Sequence, residues 1–207
     1  METQIDPMSR IIEFYFDFTS PYAYLGQHRI RQLAQEYGLD IQWKPILLGA
    51  IFRDLEHFPA PPGSPRRAYA WHDIERCAEV LGLAYRWPDP FPFNSLPASR
   101  MFYALQDTGP DDRSVEWAQA VFHASFAQGR DCSDSDELVT LANAKGLGGE
   151  ALLESAGKES IKRRFREMTA EAAARGVFGT PTFFLDDEMF WGSDRIEQIE
   201  WRLSVSN

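Results

Sequence analysis

At the start of the chain Ile12, Phe14, Phe16 and Phe18 fall at every second position, with Glu13 and Asp17 between them. A period of two is that of a strand with one buried face, so Ile11 to Phe18 is predicted to be β structure. Thr19-Ser20-Pro21 then supplies a helix N-cap followed by proline at the first helical position. Tyr24, Leu25, His28, Leu33, Ala34 and Tyr37 continue an apolar stripe as far as Gly38. Ile41 to Leu48 reads as a second strand, which Pro45 demotes to an edge or bulged position, and a β-α-β unit results.

From Ser64 to about Arg175 the periodicity is helical and no convincing strand occurs. Helices are predicted from Ser64-Pro65 to Gly82, through Ala98 to Leu105, over Asp112 to Ala127, over Ser135 to Lys145 and over Lys158 to Arg175. β structure returns with Thr182 to Leu185, an Asp186-Asp187 turn and Met189 to Trp191, which read as a hairpin. Gly192-Ser193-Asp194 then opens a last helix. The order β-α-β, helical block, β-β-α is an α/β layout whose first and last thirds must meet in one sheet. Residues far apart in sequence therefore share a site.

The 207 residues are 44% hydrophobic, enough to bury a core, and carry a formal charge of −10. That balance argues against sequence-independent binding to nucleic acid, where clustered Lys and Arg must replace counterions. Met1 to Arg10 is a polar extension, expected to be flexible, with no signal-peptide core. No apolar stretch is long enough to span a membrane, so a cytoplasmic location is expected. Cys77 and Cys132 lie far apart in unrelated contexts, so neither a CxxC pair nor a metal spacing is present. Cys77 reads as a buried, inert thiol.

Three short segments carry candidate chemistry. Ser20-Pro21-Tyr22 places a hydroxyl at a helix N-terminus, where free N–H groups favour negative charge. The motif alone reads more readily as a plain cap, as it does at Ser64-Pro65. Gly179-Thr180-Pro181 precedes an apolar strand. A cis bond there would turn the Thr180 backbone outward to pair with an extended peptide-like ligand, whereas a trans bond would merely open the strand. Ser193 and Asp194 sit at another helix start, offering donors for a carboxylate and a carboxylate for an ammonium, or else an ordinary cap.

Taken together and in this order, Phe14 to Leu25, Gly176 to Thr182 and Trp191 to Arg195 resemble the 2-hydroxychromene-2-carboxylate isomerase and kappa-class glutathione transferase family. Lys44 to Phe52 and Trp71 to Arg76 look like family segments too, so the resemblance spans nearly the whole chain. It implies a thioredoxin-like fold related to the DsbA-like oxidoreductases: residues 11–60 and 176–207 would form the thioredoxin-like domain and residues 61–175 an inserted helical domain. It implies glutathione as cofactor, an aromatic small-molecule substrate and a homodimer. Ser20 occupies the family's first active-site cysteine position and is the catalytic candidate. With Pro21, Tyr22, Thr180, Pro181, Ser193 and Asp194 it would bind glutathione, Thr180 at the cysteinyl part and Ser193 and Asp194 at the γ-glutamyl end. Phe93 and Asn94 fall where the family lines its substrate pocket. The chain departs from the pattern after Phe52. Arg53 stands where a lysine is usual and can replace its charge, but His57 or Phe58 stands where an asparagine is usual.

The expected activity is isomerisation of 2-hydroxychromene-2-carboxylate or a similar intermediate of aromatic degradation, by reversible addition of the glutathione thiolate. Ser20 would act as hydrogen-bond donor, since no His/Asp pair accompanies it to make it a nucleophile. Arg53 and Lys44 are candidate cations for the substrate carboxylate. The alternatives are a kappa-type transferase or peroxidase, a disulfide oxidoreductase, which Ser20 and Ala23 disfavour by standing where a CxxC pair would be, and a non-catalytic peptide-binding module.

Overall fold

The computed structural model describes residues 10–56 and 60–205. His57 and Phe58, and nearly all of the N-terminal extension, lie outside the described residues. The sheet has the order β2-β1-β3-β4. β1 (Ile11–Phe16) pairs in parallel with β2 (Asp40–Pro45) and antiparallel with β3 (Thr182–Leu185), which forms a hairpin with β4 (Glu188–Trp191). α1 (Pro21–Tyr37) joins β1 to β2, and Gly38 ends it in the left-handed conformation at φ 65°.

Alternation in β1 separates the two faces of the sheet. Ile12, Phe14 and Phe16, with Phe18 just beyond the strand, are fully buried on one face. Phe14 stacks on Phe183 with ring centroids 5.1 Å apart, and Trp43 meets it edge-on at 5.0 Å. The helical block closes this face through Phe102 and Phe122, both against Phe16. On the other face Tyr15 and Phe184 join Ile46, Ile51, Ala172 and Val177.

β1 stops at Phe16 because Asp17, 2% exposed, is used otherwise. One carboxylate oxygen accepts from the N–H and hydroxyl of Thr19, both at 2.9 Å; the other accepts the Leu48 N–H, also at 2.9 Å. The last contact explains an element the periodicity did not predict. Residues expected to prolong β2 instead start a short helix, α2 (Leu48–Asp54), capped by a carboxylate 31 positions away. Pro45 is the last residue of β2, which lies at the sheet edge as expected.

The block between α2 and β3 is helical throughout its regular elements: α3 (Pro65–Val80), α4 (Leu96–Thr108), α5 (Asp111–Phe122), α6 (Ser135–Ala144), α7 (Gly149–Ala156) and α8 (Glu159–Ala174). The single helix predicted to reach Ala127 changes to π geometry over His123–Ala127. α7 was not predicted. It is brief, entered through Gly148 at φ 68°, and started by the Asn143 side chain, which accepts the Gly149 N–H at 2.7 Å. After the hairpin, a 3-10 turn (Ser193–Arg195) leads into α9 (Ile196–Val205). Among the described residues no helix is long and apolar enough to cross a membrane, and no group of three or more His, Cys, Asp or Glu is placed to hold a metal.

Where α8 meets the sheet, a charged cluster is satisfied internally. Arg175 donates to both oxygens of Glu13, at 2.8 and 2.7 Å, and its guanidinium lies 3.8 Å from the Phe184 ring centroid. Lys44 donates to Glu13, to the Tyr15 hydroxyl at 3.1 Å and to Glu171 at 3.2 Å. Burial disfavours the Glu13 carboxylate, but Arg175 and Lys44 outweigh it and hold the group below the usual carboxylate range. Burial likewise works against the Lys44 ammonium, yet Glu13 and Tyr15 raise its pKa.

Candidate functional site

The turn from β1 into α1 fixes Ser20. Its N–H donates to the Asp17 carbonyl at 2.9 Å, and its hydroxyl oxygen caps α1 by accepting the Ala23 N–H at 3.2 Å. The same hydroxyl donates to the Thr180 carbonyl at 3.0 Å, so residues 160 positions apart are hydrogen-bonded. Ser20 is 7% exposed. Pro21 has no N–H, which leaves the Tyr22 N–H as the first donor of the helix, without a partner among the described residues.

The Thr180-Pro181 peptide bond is cis. Thr180 is buried, its carbonyl is taken by Ser20, and its hydroxyl has no hydrogen-bond partner. Its N–H also has none among the described residues. Of the two backbone groups expected to face a ligand, one is therefore spoken for and one is open. Gly192 donates to the Pro181 carbonyl at 2.9 Å, which draws the Ser193–Arg195 turn beside the proline. Gly26 on α1 fits into the same junction: a Cβ there would lie 3.3 Å from Pro181 and 3.4 Å from Ser193. Gly179 is pressed against the Trp191 indole so closely that a side chain would collide with it.

Ser20, Pro21, Tyr22 and Thr180 line a cavity of about 530 Å³, within the range of roughly 300–1,000 Å³ common for small-molecule sites. Its walls come from α2 (Leu48, Phe52), α3 (Trp71, Ile74), the segment with Trp87 and Phe91, and Phe178 and Trp191. Two cations line it, Arg66 and Arg67, neither ion-paired among the described residues; the Arg67 guanidinium lies 4.9 Å from the Trp71 ring centroid. The Tyr22 hydroxyl donates to Asp73 at 3.2 Å, and burial followed by the Asp73 charge raises its pKa.

The structure brings Ser20, Pro21, Tyr22 and Thr180 together at the cavity, with Pro181 and Ser193 packed behind them and Asp194 next along the turn. Arg53, Phe93 and Asn94 do not line it. Arg53 is exposed beside Asp54, Phe93 is 5% exposed in the core near Phe126, and Asn94 accepts the Leu96 N–H at the start of α4. Lys44 is held in the Glu13 cluster. Cys77 is partly rather than fully buried, and burial followed by the Asp73 charge raises its thiol pKa. Sequence reasoning missed Arg66 and Arg67. The only available signal was their place just after a Ser-Pro helix start, which reads as solvated surface.

A cis-proline facing the N-terminus of the first helix, in a sheet interrupted by a helical block, defines a thioredoxin-type protein of the DsbA kind. The chain belongs to the DSBA-like thioredoxin domain family, which matches residues 11–204, and within it to the branch of 2-hydroxychromene-2-carboxylate isomerases and kappa-class glutathione transferases. It is 31% identical over 202 residues to the 2-hydroxychromene-2-carboxylate isomerase of Sphingobium xenophagum, covering 93% of this chain and 97% of that one. It is 25% identical to glutathione S-transferase kappa 1 of Homo sapiens, covering 93% and 91%. A solved 2-hydroxychromene-2-carboxylate isomerase superposes with a TM-score of 0.84 at 29% identity, covering 94% of each chain.

Proposed function

We propose that this chain is a glutathione-dependent isomerase acting on 2-hydroxychromene-2-carboxylate or a similar unsaturated aromatic acid. The observation that carries the reading is the Ser20–Thr180 pair: a hydroxyl at a helix N-terminus against a cis-proline step, in the floor of a cavity walled in part by two arginines with no ion pair among the described residues. The similarity to named isomerases over nearly the whole chain supports it.

The unmet groups fit glutathione. The Thr180 N–H and hydroxyl match the cysteinyl peptide unit and Arg66 or Arg67 a carboxylate, while Ser193 and Asp194, the latter ion-paired with the neighbouring Arg195 at 3.4 Å, suit the charged γ-glutamyl end. When bound, glutathione supplies an ionised sulfur that adds reversibly to a conjugated double bond and leaves unchanged. Ser20 steadies negative charge at that position. Its hydroxyl proton points at the Thr180 carbonyl, and rotating it toward an anion exchanges a neutral hydrogen bond worth about 1 kcal/mol for a charged one worth about 1.5–3 kcal/mol. The gain, about 1 kcal/mol, lowers a thiol pKa by roughly one unit. The α1 N-terminus, with the open Tyr22 N–H, adds about 0.3–1 kcal/mol. The arginine not engaged by glutathione is placed to pair with the substrate carboxylate, and Trp71, Trp87 and Phe91 offer apolar wall to its ring.

The test is spectrophotometric conversion of 2-hydroxychromene-2-carboxylate with and without glutathione. Conversion that requires glutathione is expected. Conjugation of a generic electrophile without conversion of the chromene would move the assignment to a transferase.

A further inference from the structure

Behind α2, on the side away from the Ser20 cavity, lies a second groove of about 410 Å³ between α2, α4 and α8. Its walls are mainly apolar: Leu47, Ala50 and Ile51 from one side, Leu96 and Phe165 from the others. Two arginines line it and differ in one respect. Arg166 is ion-paired with Glu159 at 2.7 Å. Arg100, half-buried, has a fully buried Nε with no hydrogen-bond partner and makes no ion pair among the described residues. The chain carries 31 acidic residues against 21 basic ones, so a shortage of carboxylates does not explain this. A partly desolvated cation without a counter-charge is costly, and beside apolar walls it is offset most directly by an anion that has an apolar body.

We propose that this groove binds a small amphipathic monocarboxylate, its carboxylate on Arg100 and its apolar body against the partly exposed side chains of Leu47, Ala50 and Leu96. The site is distinct from the cavity. Leu48 and Phe52 of α2 face the cavity, whereas Leu47, Ala50, Ile51 and Asp54 face the groove, so the two sites share one seven-residue helix as a wall. The Leu47 N–H donates to Thr169 of α8 at 3.1 Å, which ties that wall to the groove floor.

The probe is octanoate, with octanol as the neutral control, titrated by calorimetry into the full chain in the presence and absence of glutathione. Octanoate is expected to bind whether or not glutathione is present, to perturb backbone amide resonances of Ala50, Ile51 and Ala170, and to outbind octanol. Arg100→Gln is expected to weaken it roughly tenfold to a hundredfold, the range for a lost charged hydrogen bond. Arg100→Lys should retain part of the binding, while Arg66→Gln and Arg67→Gln leave it unchanged. Three results would overturn the proposal: competition with glutathione, equal binding by the Arg100→Gln variant, or no binding together with an Arg100→Gln variant that dissociates a dimer. Should Arg100→Gln not fold, the amide shifts of the unmodified chain still decide it.

Discussion

Two polar regions lie on either side of the segment that links α8 to β3, and they are built on opposite terms. In the Glu13 cluster each charged group finds its partner within the chain: Glu13 receives Arg175 and Lys44, and Lys44 also reaches Tyr15 and Glu171. At the Ser20 cavity, groups have no hydrogen-bond or ion-pair partner among the described residues, namely the Thr180 hydroxyl, the Thr180 and Tyr22 N–H groups, and Arg66 and Arg67. Polar atoms satisfied internally hold the fold; polar atoms without partners at a concave surface await a ligand. Arg175 and Thr180 are only five residues apart. The satisfied cluster therefore anchors the segment that presents the unsatisfied site.

The largest effect is expected from breaking the satisfied side. Glu13→Gln leaves Lys44 and Arg175 facing each other without their shared counter-charge, and should cost about 3 kcal/mol in urea unfolding. The pH dependence follows from the lowered pKa of Glu13. Its contribution is complete above the pKa of the unfolded chain and is lost as pH falls through the folded value. The stability difference between the unmodified and Glu13→Gln proteins should thus shrink only in acid, below the usual carboxylate range, and an equal difference at all pH values would contradict the assignment. A smaller effect, confined to ligand binding, is expected on the unsatisfied side. Arg67→Gln should raise the KM for glutathione or for the acid substrate about tenfold, roughly 1.4 kcal/mol, with little change in thermal stability because the side chain has no ion pair among the described residues to lose. A loss of stability comparable to that of Glu13→Gln would erase the distinction between the regions.

The same distinction sets what could be read from the sequence. β1, α1 and the terminal hairpin were legible because their signals are local: a period of two, a Ser-Pro cap ending in glycine, and a two-residue turn. α2 was not, because the carboxylate that starts it belongs to Asp17, and α7 depends on the side chain of Asn143. At the site, Ser20 and Thr180 sit at recognisable punctuation, a helix start and a proline step. Which cations are spent and which remain is a tertiary matter. Lys44 and Arg53 looked available but point elsewhere, while nothing local singled out Arg66 and Arg67.

The central claim is that Ser20, with the N-terminus of α1, lowers the pKa of a bound glutathione thiol. The direct measurement is the ultraviolet thiolate absorbance of the glutathione complex against pH, for the unmodified chain and for Ser20→Ala. The account predicts a pKa below that of free glutathione in the complex and a rise of about one unit in the variant, with a further depression left from the helix end. The same titration curve for both proteins would contradict it.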